Sequence, residues 1–185
     1  LLDAIMTNGN SEILLAGRHG RCCRFDENDA RALGRTASGV RGINIDEDDE
    51  VIGMIAYDPT AEDAQAHSLL VVSEHGYGKR SDFDEYRKTN RGGKGVKTLN
   101  ITEKTGELVA MKNVTDENDL MIINRSGITI RMAVADIKVA GRATQGVKLI
   151  NIKDGDSIAA ISAVNKSEEE TSDQQAEPAQ EQTNE

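Results

Sequence analysis

Arg91-Gly92-Gly93-Lys94-Gly95-Val96-Lys97-Thr98-Leu99-Asn100-Ile101 decides the reading of this chain, because the stretch occurs three times in related form. An earlier copy runs from Arg35 to Ile45 and a later one from Arg142 to Ile152. Each reads Arg, three residues, Gly-Val, a base, one residue, then an aliphatic-Asn-Ile segment. The central glycines, Gly39, Gly95 and Gly146, lie 56 and 51 residues apart. Self-similarity at that period marks a repeat architecture.

The register extends upstream. Gly20, Gly76 and Gly127 each follow an apolar run and each lies 19 residues before its central glycine. Counted from them, a base recurs at offsets of 4, 11, 15 and 21. The first repeat supplies Arg24, Arg31, Arg35 and Arg41, and the second Arg80, Arg87, Arg91 and Lys97. The third supplies Arg131, Lys138, Arg142 and Lys148. These are 12 of the 22 Lys and Arg, so the fold itself spaces much of the positive charge.

The 185 residues are 37% hydrophobic and 3% aromatic, which predicts a thin aliphatic core of small stacked sheets. The net charge of −10 conceals an uneven distribution. Seven acids and no base follow Lys166, leaving 25 acids against 22 bases in the body. Between Lys79 and Lys97 there are seven bases and three acids. The adjacent Cys22 and Cys23 offer no disulfide framework, which fits a reduced, cytoplasmic protein. No apolar run is long enough for a membrane span or a signal peptide, so no membrane partner is expected. The chain opens at Leu1 rather than Met, as expected of a piece of something longer.

Short apolar segments bounded by Gly, Asn and Asp, without a 3.6-residue period, predict strands. Turns are marked at Thr105-Gly106 and Asp154-Gly155, and closing strands at Val51–Ile55, Leu108–Met111 and Ile158–Ile161. Ile43-Asn44-Ile45 and its equivalents alternate as strands, with a bulge or bend near Gly42. About four strands in roughly 50 residues is the size of a propeller blade. The expected fold is all-β. Residues 1–12 close a preceding blade, 13–68, 69–119 and 120–166 are blades, and 167–185 form a disordered acidic tail.

At Gly76-Tyr77-Gly78-Lys79-Arg80, Arg91-Gly92-Gly93-Lys94-Gly95-Val96 and Gly141-Arg142-Ala143-Thr144-Gln145-Gly146-Val147, the chain resembles the C-terminal domain of the DNA gyrase A subunit. That domain is a β-pinwheel around which DNA wraps. The likeness covers Leu1 to Lys166 and corresponds to the last three blades. It departs at the family's diagnostic box, where Thr89 and Asn90 stand for a glutamine and a base. The topoisomerase IV A subunit has a similar pinwheel without the box and is the alternative within the superfamily. A protein-binding β-propeller is the alternative of another class, disfavoured by the scarcity of aromatic anchors.

The resemblance implies double-stranded DNA as partner, together with an N-terminal part of the A subunit, and the gyrase B subunit in an A2B2 assembly. It also implies that ATP and magnesium, needed by the ATP-dependent supercoiling enzyme, are held by other domains. No cofactor and no catalytic residue are expected in this segment. Tyr57, Tyr77 and Tyr86 are expected to pack, since the family's nucleophile lies in another domain.

The expected DNA-binding residues are Arg35, Arg41, Lys79, Arg80, Arg87, Arg91, Lys94, Lys97, Arg142 and Lys148. Equivalent positions on successive blades would form a basic rim that neutralises phosphates without reading bases. The same phasing also fits arginines that brace one blade to the next through acids, and Arg24, Arg80 and Arg131 sit nearest acid-bearing loops. His19 and His75 precede equivalent turn glycines, where a conformational role is expected. Asp46 to Glu50 reads as a solvated turn, lacking calcium-loop spacing. The Arg91 loop lacks the Gly-Lys-Ser/Thr ending of a nucleotide-binding loop.

Overall fold

In the computed structural model, which describes residues 1–166, strands β1 (Glu12–Gly17), β2 (Arg21–Asp26) and β3 (Val51–Tyr57) make the first blade. β4 (Ser68–Ser73), β5 (Tyr77–Ser81) and β7 (Leu108–Val114) make the second. β8 (Asn118–Asn124), β9 (Thr129–Ala133) and β11 (Ile158–Asn165) make the third. All pairings between these strands are antiparallel. Each leading hairpin turns on a glycine with positive φ, Gly20 (79°), Gly76 (82°) and Gly127 (86°). That conformation costs a side-chain-bearing residue energy and glycine none. The described residues hold no α-helix, only four single 3-10 turns.

The sheets do not end where the repeats do. The outer edge of the first blade is β6 (Val96–Lys97), contributed by the second repeat, with Val96 opposite Cys22 and Lys97 opposite Arg21. The second blade receives β10 (Val147–Lys148) from the third repeat, with Val147 opposite Gly78 and Lys148 opposite Tyr77. The strand orders are therefore β3-β1-β2-β6, β10-β5-β4-β7 and β11-β8-β9. β9 has no outer neighbour among the described residues.

The expected strands at Ile43–Ile45, Leu99–Ile101 and Ile150–Ile152 do not form, although Ile43, Leu99 and Ile150 are buried as the alternation requires. The amides of Thr98 and Leu99 both turn onto the Gly20 carbonyl (2.8 and 3.4 Å), which takes them out of a ladder. Leu149 and Ile150 repeat this on Gly76 (2.8 and 3.5 Å). Residues 1–11 also form no strand, and Leu1, Leu2 and Met6 are exposed. Leu1, Leu2 and Asp3 line the cleft beside Val51–Ile55 without pairing to that edge.

Alternating side chains fill the spaces between blades. Leu14, Ala16 and Cys22 of the first blade meet Leu69, Val71 and Leu99. On the second blade's other face, Leu70 and Val72 meet Leu120, Ile122, Val134 and Ile137. Every residue of β4 is buried, as expected of a strand sandwiched between two blades. Tyr57 stacks on Phe83 at 3.9 Å, and the buried Tyr86 hydroxyl meets Thr98 Oγ1 at 2.6 Å, so both tyrosines are packing groups. β3, β7 and β11 converge on a cleft of about 800 Å³ lined by Val51–Ile55, Val109–Lys112, Ala160 and Ile161. β6 and β10 lie at the opposite edge of their sheets, so the donated strands form the outer rim.

Candidate nucleic-acid interface

The bases at offset 21 ride on the donated strands. Lys97 and Lys148 are the second residues of β6 and β10, exposed at the sheet edge, and Arg41 is exposed in the equivalent first-repeat segment. The bases at offset 15 are brought to them by a repeated contact. Arg91 donates from Nη1 to the carbonyl of Arg41 (2.5 Å), and Arg142 donates from Nη1 to the carbonyl of Lys97 (2.9 Å). Arg91 also bonds the Asp29 carbonyl through Nε (3.1 Å). Each such arginine therefore lies beside the rim base of the repeat before it. Backbone bonds repeat the junction: Asn44 donates to the Gly93 carbonyl (2.9 Å), and Asn100 to that of Thr144 (3.0 Å).

Arg35, Arg87 and Lys94 are exposed, and Arg91 and Arg142 are half-buried. The structure thus brings Arg41 to Arg91 and Lys97 to Arg142, with Lys148 continuing the series on β10.

Two expected contacts are corrected. Lys79 is fully buried (0% exposed), its Nζ donating to Ser81 Oγ (3.0 Å) and to the Arg142 carbonyl (2.8 Å). Burial pushes its pKa down to about 8, with nearby Glu85 opposing that shift and Arg142 adding to it. Arg80 is buried too: it donates to the carbonyls of Ile137 (3.0 Å) and Ala135 (3.4 Å) and pairs with Asp116. Neither side chain is presented to a ligand, because the loop of the third repeat crosses over both.

Arg24 behaves as Arg80 does, pairing with Glu12 (2.5 Å) and bonding the carbonyls of Phe83 (2.5 Å) and Tyr86 (2.9 Å) in the next repeat. Arg131 pairs with Asp119 (2.7 Å). At offset 4, Arg24 and Arg80 brace one repeat against the next, whereas Arg131 pairs within its own blade.

Arg21, opposite Lys97 and exposed, is a rim base outside the phased series. It donates to the carbonyls of Lys94 (3.0 Å) and Gly95 (2.8 Å), fixing the glycine loop above β2. Tyr77 and Ile128 stand at its equivalents, so no periodicity betrays it; only its place directly after the turn glycine does. Lys88 is likewise unphased, and it pairs with Asp26 (2.7 Å) and Glu12 (3.2 Å).

The glycine loop does not fit a nucleotide phosphate site. It leads into a two-residue strand rather than a helix N-terminus, and the described residues contain no grouped His, Cys, Asp or Glu side chains able to hold a metal. No described helix is long and apolar enough to cross a membrane.

The sequence matches the family described as DNA gyrase C-terminal domain, beta-propeller, over residues 11–58, 67–115 and 118–165. It is 44% identical over 169 residues to the DNA gyrase A subunit of Staphylococcus epidermidis, covering 91% of this chain and 18% of that protein. Against the DNA gyrase A subunit of Staphylococcus aureus it is 44% identical over 177 residues, 95% of this chain and 20% of the relative. The chain thus spans about a fifth of the length of these relatives. The fold resembles a solved DNA gyrase A C-terminal domain (TM-score 0.73, 22% identity, 83% of this chain and 50% of that one). It also resembles the C-terminal domain of DNA topoisomerase IV (TM-score 0.79, 21% identity, 88% and 49%). Sequence and blade architecture agree, and the chain belongs to the DNA gyrase C-terminal domain family.

Proposed function

We propose that this chain is the DNA-wrapping part of a gyrase A subunit, seating duplex DNA on its outer rim by sequence-independent phosphate contacts. One observation carries the reading: the same arginine-to-carbonyl contact recurs at both junctions, from Arg91 to Arg41 and from Arg142 to Lys97, next to the donated edge strands that carry Lys97 and Lys148. The contact residues are Arg35, Arg41, Arg87, Arg91, Lys94, Lys97, Arg142 and Lys148. Such contacts neutralise phosphates, release counterions and carry no base information. Curving a 20–30 base-pair segment costs on the order of 1–6 kcal/mol, which the phosphate contacts offset.

In the whole enzyme, a type II topoisomerase, the wrap would set the handedness of the strand crossing that the other domains pass. The strand-cleaving residue, ATP and magnesium would all reside outside this segment. The partners are duplex DNA, the N-terminal part of the A subunit, and the B subunit in an A2B2 assembly, in the cytoplasm. The 44% identity to gyrase subunits favours gyrase over topoisomerase IV.

The test is DNA affinity across a salt series. Neutralising about six phosphates gives a log–log slope near −5. A slope near zero rejects the rim. The acidic segment 167–185 lies outside the described residues, and its composition suits a competitor for the rim. Truncation after Lys166 is then expected to tighten DNA binding at low salt, and unchanged affinity leaves it a solubility device.

A further inference from the structure

We propose that Lys79 is a positioning residue for the rim: its buried ammonium anchors the Arg142 carbonyl and so holds the Arg142 guanidinium beside Lys97. The proposal rests on the DNA-wrapping reading for its consequence but on the geometry of the second and third repeats for its cause.

The register shows that packing does not call for a charge here. Lys79 occupies the place of Cys23 in the first repeat and Ile130 in the third. An ammonium taken out of water is unfavourable unless hydrogen-bonded. Its two acceptors are Ser81 Oγ and the Arg142 carbonyl, and Ser81 Oγ donates in turn to the Ala140 carbonyl (2.7 Å). Two neighbouring side chains of β5 thus grip the carbonyls on either side of Gly141.

The gripped loop has little structure of its own. It forms no strand before Val147, and its internal bonds run from Thr144 to the Gly141 carbonyl. Toward solvent it is tied by the bond from Arg142 to Lys97 and by a long contact from the Arg142 amide to Glu85 (3.4 Å). The equivalent junction between the first and second repeats shares one backbone bond, Thr89 amide to Arg24 carbonyl there (2.8 Å) and Ala140 amide to Arg80 carbonyl here (2.8 Å), and differs in its side chains. There the Thr89 hydroxyl also bonds the Arg24 carbonyl (3.2 Å), and Cys23 only touches Thr89 Oγ1 at 3.7 Å. The lysine therefore adds at the later junction a side-chain grip on the Arg142 carbonyl that the Cys23 thiol does not make at the earlier one. At neutral pH it remains mostly protonated, with its pKa near 8.

The experiment compares Lys79→Met, Arg142→Gln and the double variant in the full-length protein. Amide hydrogen exchange and DNA affinity over a salt series are the readouts. Lys79→Met is expected to speed exchange across residues 140–146 at least about tenfold, with β4 and β8 unchanged. It is also expected to weaken DNA binding about as much as Arg142→Gln, each lowering the salt slope by about one. The double variant should bind no worse than Arg142→Gln alone, since the two act through one guanidinium. Unchanged exchange at 140–146, or losses that add, overturns the proposal. If Lys79→Met does not fold, Ser81→Ala decides: faster exchange confined to 140–146 supports the anchor, and unchanged exchange overturns it. If exchange quickens but Arg142→Gln leaves DNA binding and its salt slope untouched, the anchor stands and the DNA-wrapping reading falls.

Discussion

Arg24 and Arg91 recur in the same phased series, yet one is buried against the next repeat and the other lies at the rim. Removing Arg24 would leave Glu12 buried without its main partner, with Lys88 still 3.2 Å away. Arg24→Ala is expected to cost about 3 kcal/mol by urea denaturation, near the low end for a broken buried pair. It should leave the salt slope of DNA binding unchanged once the protein is folded. Lys79 ties stability to pH. Its folded pKa, about 8, lies below its ordinary 10.5, so the unfolded chain binds more protons between those values. Stability relative to Lys79→Met should therefore rise with pH from 8 to 10.5, by a few kcal/mol at most. The groups facing the ammonium are Glu85 and Arg142, and burial raises the pKa of nearby Tyr86 so that it stays neutral across that window. A pH-independent difference would mean that Lys79 titrates as it does in water. The sequence revealed which bases recur. It could not reveal which ones meet the carbonyls of the following repeat, because that depends on a crossover absent from any local pattern.

Among the strands, the paired ones were legible from their apolar runs, and the closing strands fell where the turns Thr105-Gly106 and Asp154-Gly155 placed them. The donated strands were not legible, because two residues are too few to carry a period. Their glycines record them instead. Gly146 has φ of 76°, and a Cβ there would lie 2.5 Å from the Gly78 carbonyl oxygen. Gly39 has φ of 83° with nothing within 4 Å. Gly39→Ala is expected to cost about 1–2 kcal/mol, the backbone penalty alone. Gly146→Ala should exceed that and loosen β10 from β5. Equal melting temperatures for the two variants would contradict the close packing of that strand.

Across the whole molecule, the exposed bases Lys97 and Lys148 sit on the outer edge while Arg24, Lys79 and Arg80 are buried, and many of the acids sit in turns, such as Asp46 to Glu50 where Arg18 pairs with Glu50. Net charge is thus a poor guide to the partner, and position decides. Lys97→Ala with Lys148→Ala is expected to lower the salt slope by about two, one for each phosphate no longer neutralised, with little change in stability. Strand donation also orders events in time. β2 gains its outer neighbour only after Val96 has been made, and β5 only after Val147. At about 5–20 residues per second, a nascent blade waits on the order of seconds with one flank bare. Synthesis therefore proceeds like a row of clasps, each fastened by the arrival of the next, and a ribosome that stalls between repeats leaves one clasp open to a neighbouring chain.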